Sequence, residues 1–193
     1  MTSPAWEKFL KSNFFGSSYY AWHDGVDVQV LQDLSADEKH EAERIFLKTP
    51  TDKRYIEGLA ALKSQQALPV LIPLLKHTYP EVRISAARAI RDISGADSGL
   101  DALVGVLNDT KIYWGTRMDA ARYLNDFRSK RAVDALVKAL DDGEQLVRYH
   151  AANSLATIYR IPSNAGEIMR VMTANDAIAA LKAKIADLPI PTD

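Results

Sequence analysis

Apolar residues recur along this chain in two alternating patterns. The first is an i, i+3, i+4 triplet: Leu71, Leu74 and Leu75, then Leu103, Val106 and Leu107, then Leu136, Ala139 and Leu140. That spacing places one buried stripe on an amphipathic helix. After each triplet comes a block of the form Val-Arg-x-x-Ala-Ala-x-x-Leu: VRISAARAI at Val82–Ile90, TRMDAARYL at Thr116–Leu124 and VRYHAANSL at Val147–Leu155. The arginines Arg83, Arg117 and Arg148 stand 34 and 31 residues apart. Self-similarity at a period of roughly 20–50 residues marks a solenoid, in which each unit buries its apolar face against its neighbours. Each unit therefore reads as helix A, a turn, then helix B. The turns LKHTYPE, LNDTKIYWG and LDDGEQ carry the Asn, Asp, Gly and Pro that break helices. Pro80 suits the first turn of its helix and Pro69 can open another, whereas Pro73 is expected to kink the helix that holds it.

The pattern continues more weakly on both sides. Upstream, RYIEGLAAL at Arg54–Leu62 aligns with Val82–Ile90, with Gly58 opposite Ala86 and Tyr55 where the arginine belongs. Its A helix is DEKHEAERIFL, opened by a Ser35/Glu38 capping-box spacing, with Ala42, Ile45 and Phe46 as its stripe. Downstream, NDAIAALKAKIADL at Asn175–Leu188 repeats the A pattern through Leu181 and Ile185, and no B helix follows. Terminal units of a solenoid depart from the consensus because they close the core against water. Residues Ile161–Met172 read as an irregular connection with a short helix over Ala165–Met172. At the start, Ser3 and Pro4 cap a helix whose Trp6, Phe9, Leu10 and Phe14 follow at helical spacing, read as a lid over the end of the stack. The expectation is one all-α domain over 1–193: cap and loop at 1–34, about four helix-pair repeats over 36–160, and a C-terminal cap over 161–193.

Composition narrows the chemistry. Of the 193 residues, 47% are hydrophobic and 25% charged, ordinary values for a globular domain. A formal charge of −1 argues against nucleic acid as a partner, since that binding draws on a basic face. The absence of cysteine removes disulfides, thiolate catalysis and zinc–thiolate sites. MTSPAWEKFLKSNFF has no continuous apolar core and does not read as a signal peptide. No stretch approaches the roughly eighteen apolar residues that span a membrane. The chain is expected to be cytoplasmic and monomeric when free.

These blocks resemble HEAT-like repeats, in particular the short bacterial form first associated with phycobilisome lyases. Helix A ending in Leu-x-Asp (Leu107 to Asp109, Leu140 to Asp142), followed by Arg-x-x-Ala-Ala in helix B, carries the likeness over residues 36–160. The resemblance implies a right-handed α-solenoid of antiparallel helix pairs, with Arg83, Arg117 and Arg148 reaching carbonyls or acids between units as framework. Some members of this family are enzymes. Deoxyhypusine hydroxylase holds two irons with several His-Glu pairs; here there is one such pair, His40-Glu41, and metal ligation needs three or more converging ligands. The alkylpurine DNA glycosylases use aromatic and acidic residues on a basic face; Trp114, Asp119 and Arg148 match in type, but the near-neutral charge does not. Phycobilin lyase subunits are longer and usually paired. No metal or cofactor is expected.

By the same resemblance the B helices line a concave face. Three rows of B-helix residues would cross the repeats there: Ser85, Asp119 and His150; Arg88, Arg122 and Asn153; Asp92, Asp126 and Thr157. Ile84, Met118 and Tyr149 flank them with apolar surface. Such a face is either plain solvated helix surface or a mixed-charge groove for a protein partner, where Arg and Tyr serve as anchors. A second candidate is the ridge of A–B turns, where Tyr79 and Tyr113 hold equivalent positions and Trp114 is adjacent. Exposed, those rings suggest contact; folded back, they pack between turns. In Tyr19–Gly25, YYAWHDG, His23 beside Asp24 has no Ser or Cys nucleophile in a recognisable motif, and Asp24-Gly25 reads as a turn. The functional expectation is a non-enzymatic protein-binding scaffold, in its sharpest form an immunity or inhibitor protein that neutralises a bacterial toxin. The alternative is a bilin lyase-type subunit or another HEAT-like enzyme using the groove.

Overall fold

The computed structural model describes residues 3–15, 25–162, 169–171 and 173–190. The aromatic residues Tyr19–Trp22, with His23 and Asp24, and most of the helix expected at Ala165–Met172 lie outside them. The regular structure of the described residues is all helical, with no strand among them. None of their helices is long and apolar enough to cross a membrane. The chain divides into two compact units, 1–99 and 100–193.

The first unit holds α1 (Pro4–Leu10, running into a π turn at Lys11–Phe15), α2 (Val28–Asp33), α3 (Ala36–Phe46), α4 (Lys53–Ala61), α5 (Leu68–Leu74) and α6 (Pro80–Ser94). Ser3 caps α1 by accepting the Trp6 N–H at 3.0 Å, and its hydroxyl donates to Glu38. Glu38 also closes the capping box of α3, accepting from the Ser35 backbone N–H at 2.9 Å while the Ser35 side chain accepts its own N–H. Those bonds to Ser3 and Ser35 hold the Glu38 carboxyl below its ordinary pKa. Phe9, fully buried, meets Phe46 edge-on at 5.9 Å, so α1 covers α3 as a lid. The degenerate first repeat follows from the same packing. Gly58 on α4 faces the Phe46 ring so closely that a Cβ there would overlap it. Tyr55, in the arginine's place, lies 5.4 Å from that ring, extending the aromatic cluster where later repeats use a charge.

Pro73 does not kink a long helix. It falls in the last turn of α5, which ends at Leu74 in short i→i+3 bonds. On α6, Ala86 and Ala87 are fully buried, and the helix end is satisfied from outside. Lys63 Nζ donates to the Asp92 carbonyl at 2.6 Å and Gln65 Nε2 to that of Ile93 at 3.0 Å, filling acceptors that a helix C-terminus leaves open.

The second unit holds α7 (Leu100–Asn108), α8 (Trp114–Tyr123), α9 (Lys130–Ala139), α10 (Gln145–Ile158) and α11 (Asn175–Ala186). Leu103, Leu136 and Leu140 are fully buried, as the A-helix register requires. Ala120, Ala121, Ala151 and Ala152 are likewise buried, and α8 and α10 form the most extensive helix pairing. The Ser154 hydroxyl crosses between them, donating to the Ala121 carbonyl at 2.8 Å. Ile178 and Ile185 of α11 close the end of this unit.

The arginine repeated in each block performs a framework role in this unit. Arg117, 5% exposed, donates through Nε to the Ile112 carbonyl in its own A–B turn at 3.2 Å and pairs with Asp142 in the next. Asp142 also accepts the Glu144 N–H at 2.9 Å, so one carboxylate orders its turn and receives the preceding repeat. Arg148 reaches the carbonyls of Asp142 at 2.7 Å, Gly143 at 3.2 Å and Val171 at 3.3 Å. In the first unit, Arg83 keeps a buried Nε without a hydrogen-bond partner.

Two tests follow from this packing. Leu103→Ala and Leu136→Ala should each cost about 2–5 kcal/mol, the range for a core leucine that leaves a cavity; denaturant melts showing under about 0.5 kcal/mol for both would contradict the repeat register. Arg117→Ala strands the Asp142 carboxylate and should cost about 3–5 kcal/mol. In a double-mutant cycle, Asp142→Asn should cost distinctly less once Arg117 is gone; additive losses would deny the link.

Candidate functional site

In the first unit the outward side of α4 and α6 forms an open groove of about 470 Å³. Ser85, Arg88 and Asp92, the first-unit members of the three expected rows, all line it. Its floor is small: Ala60, Ala61, Ala89 and Ser85. Its charged residues are Glu57, Lys63, Arg88 and Asp92, two of each sign, and Val26 and Val28 form an apolar wall. Two expectations need correction. Ser85 is 6% exposed and belongs to the floor, and Ile84 is equally buried and contributes no flanking surface. Both lie beside the fully buried Ala86–Ala87 pair, so the covered stripe of α6 is wider than the apolar spacing implies.

In the second unit the corresponding positions on α8 and α10 form a separate cluster. Arg122 is exposed, its guanidinium 4.7 Å from the Tyr123 ring centroid, with Nη2 donating to the Tyr123 hydroxyl at 2.6 Å. Asn153 is exposed, while Asp119, Met118, Tyr149 and His150 are half-buried. Tyr149 and His150 meet edge to face at 5.1 Å. His150 Nδ1 is buried without a hydrogen-bond partner. Burial, then the Arg122 charge, push the imidazole's pKa below its ordinary value, and Asp119 opposes them. Thr157 spends its hydroxyl on the Asn153 carbonyl at 2.9 Å.

The turn ridge is present as side chains rather than as buried packing. Tyr79 is 67% exposed and Tyr113 64%. Trp114 is half-buried, 5.0 Å from the Tyr113 ring. Tyr113 lies over the first turn of α8, where a Cβ on Gly115 would come within 2.6 Å of its Cε1. Elsewhere, His40 is an exposed side chain 3.4 Å from Glu43, and Glu41 is engaged by Arg44 at 2.6 Å. No three His, Cys, Asp or Glu residues converge as metal ligands among the described residues.

A family model of HEAT repeats matches residues 49–114 and 113–187, most of the chain. The chain belongs to the HEAT-repeat family. No curated protein matches it. The family match extends to residue 187, into α11.

The repeat register also accounts for residues that the rows omitted. Glu57 falls opposite Ser85 once Gly58 is set against Ala86, so the degenerate HEAT repeat supplies one of the groove's two acids from the same position. Lys63 has no such signal. It enters through a left-handed backbone, φ +53°, after α4. Val26 and Val28 come from outside the repeats and no periodicity points to them.

His150 makes the cluster measurable. Its folded pKa is lowered, so the folded state takes up the proton less readily than the unfolded chain. Its contribution is present above the ordinary histidine pKa of about 6.5 and is lost as pH falls through the lower folded value. Urea unfolding of the wild type should therefore lose stability from about pH 7 to 5 more steeply than His150→Asn. Parallel pH profiles would remove His150 as the cause.

Proposed function

We propose that this HEAT-repeat chain is a non-enzymatic scaffold whose B helices hold another protein. HEAT repeats generally mediate protein–protein interaction. The observation that carries the reading here is the groove of α4 and α6. Ser85, Arg88 and Asp92, picked out by the resemblance and the repeat register, line one cleft with a small-residue floor and charges of both signs. Such a surface suits a folded partner, whose polar rim needs complementary charge and whose anchors need depth. In the second unit, Asp119, Arg122, Tyr149, His150 and Asn153 form the corresponding contact surface, with Tyr113 and Trp114 as a separate aromatic contact. Within this class we favour an immunity or inhibitor protein, cytoplasmic and monomeric when free, that occludes a toxin domain. A small cysteine-free chain with a wide recognition face fits that task.

The test is capture from the native host followed by mass spectrometry, using wild type and two double variants. Arg88→Glu with Arg122→Glu should weaken the captured partner by a few kcal/mol, the range of interface hot spots. Folding should change by only about 0.5 kcal/mol, as for most surface positions. Tyr113→Ser with Trp114→Ser is the counterpart. If the ridge variant loses the partner and the arginine variant keeps it, recognition lies in the turns. A bilin-carrying protein among the captured partners would favour a lyase-type role instead.

A further inference from the structure

The α8–α10 pair carries a covered group that its packing leaves unsatisfied. Nδ1 of His150 is buried without a hydrogen-bond partner, whereas Nε2 suffers no such lack. A neutral imidazole holds one N–H and one bare nitrogen. The bare nitrogen therefore belongs at Nδ1 and the proton at Nε2. A second proton has only Nδ1 to go to. There it would create a buried N–H and a buried charge with no acceptor, which is costly unless the group moves. The Tyr149 ring stands edge to face with the imidazole at 5.1 Å. One turn further along α10, the Ser154 hydroxyl fastens the helix to the Ala121 carbonyl of α8 at 2.8 Å. The helix is held there, so the ring is the part that can respond.

The charges around the ring decide where it goes. Arg122 and Asp119, both on α8, act on the imidazole, the first against its protonation and the second in favour of it. The other charged groups on the elements packed against it are engaged elsewhere or exert no shift. On α8, Arg117 is spent on Asp142. On α9, Lys130 pairs with Asp134 at 2.7 Å and Arg131 with Asp101 at 2.7 Å. On α10 itself, Arg148 is held by three backbone carbonyls. Lys138 of α9 and Asp126 in the turn at Leu124–Asp126 do not shift the imidazole. We propose that His150 is a proton-driven latch of this surface: on taking a proton at Nδ1, the imidazole leaves its covered place and is received by the Asp119 carboxylate, while α8 and α10 stay paired. Before the proton arrives, Arg122 and Asp119 balance; afterwards the three groups carry two positive charges against one negative. Shape and charge therefore change together as the medium acidifies. Protonation is opposed in the covered place and favoured beside the carboxylate. Between those two conditions the outward population rises by up to about tenfold per pH unit. The latch goes beyond the scaffold reading and holds whether or not a partner occupies the surface.

The experiment is imidazole and amide NMR on the full chain, titrated from about pH 8 to 5, across the ordinary histidine range. At the alkaline end the His150 ring should carry its proton on Nε2, with Nδ1 bare. Through its transition the Tyr149 ring resonances should shift with the same midpoint, and NOEs from the imidazole to the Asp119 Hβ protons should appear in the acid form. The buried amides of Ala121 and Ala152 should keep their hydrogen-exchange protection throughout. Asp119→Asn should lower the midpoint by removing the charge that favours the proton, and Arg122→Gln should raise it. His150→Asn should abolish the transition at Tyr149. A neutral ring protonated at Nδ1, an acid form without NOEs to Asp119, or a midpoint unmoved by Asp119→Asn would overturn the proposal. Loss of protection at Ala121 and Ala152 at the same midpoint would overturn it too, since the helix pair itself would then be opening.

Discussion

Because Ala120, Ala121, Ala151 and Ala152 carry only a methyl group, α8 and α10 approach closely enough for the Ser154 hydroxyl to reach the Ala121 carbonyl. A larger residue at any of these buried positions would separate the helices, and overpacking of that kind costs about 1–3 kcal/mol. Everything displayed on the outer side of the pair depends on this approach. There Nδ1 of His150 is covered, and Arg122 lies close enough to depress the imidazole's pKa. In the first unit, Gly58 against Phe46 is the extreme form of the same constraint, where even a methyl is too large.

The framework arginines and the surface arginines divide two tasks that one residue type can perform. Arg117 is buried and its charge is compensated by Asp142, which simultaneously orders the next turn. Burying that pair requires satisfied partners, since an uncompensated charge in this setting is costly. Arg122, five residues later on the same helix, is exposed, stacked on Tyr123, and keeps donors unspent. The helix thus ties repeats together along one side and displays an exposed cation along another. That separation lets surface residues vary in a HEAT protein without dissolving the stack.

Much of the architecture was legible from periodicity. The A-helix leucines, the alanine pairs and the Ser35 capping box all occupy the places their spacing implies. The arginine's framework role, inferred from family resemblance, holds for Arg117 and Arg148. Helical periodicity reports which side of a helix is covered, because covered positions must be apolar or small over several turns. It is less precise at the edge of that stripe: Ser85 and Ile84 were read as surface and are buried, since stripe width depends on how closely the neighbouring helix lies.

The sequence by itself determined an all-helical repeat, its register and its helix caps, because these follow from local spacing and from the repetition of one packing problem. Only the tertiary structure decided which charged groups remain available. That Arg117 is spent on Asp142 turns on side chains brought close by packing between repeats, and that proximity leaves no trace in the period of any one helix. The same holds for Val26, Val28 and Lys63, which complete the first-unit groove from outside the repeat or through a backbone turn that the pattern does not encode.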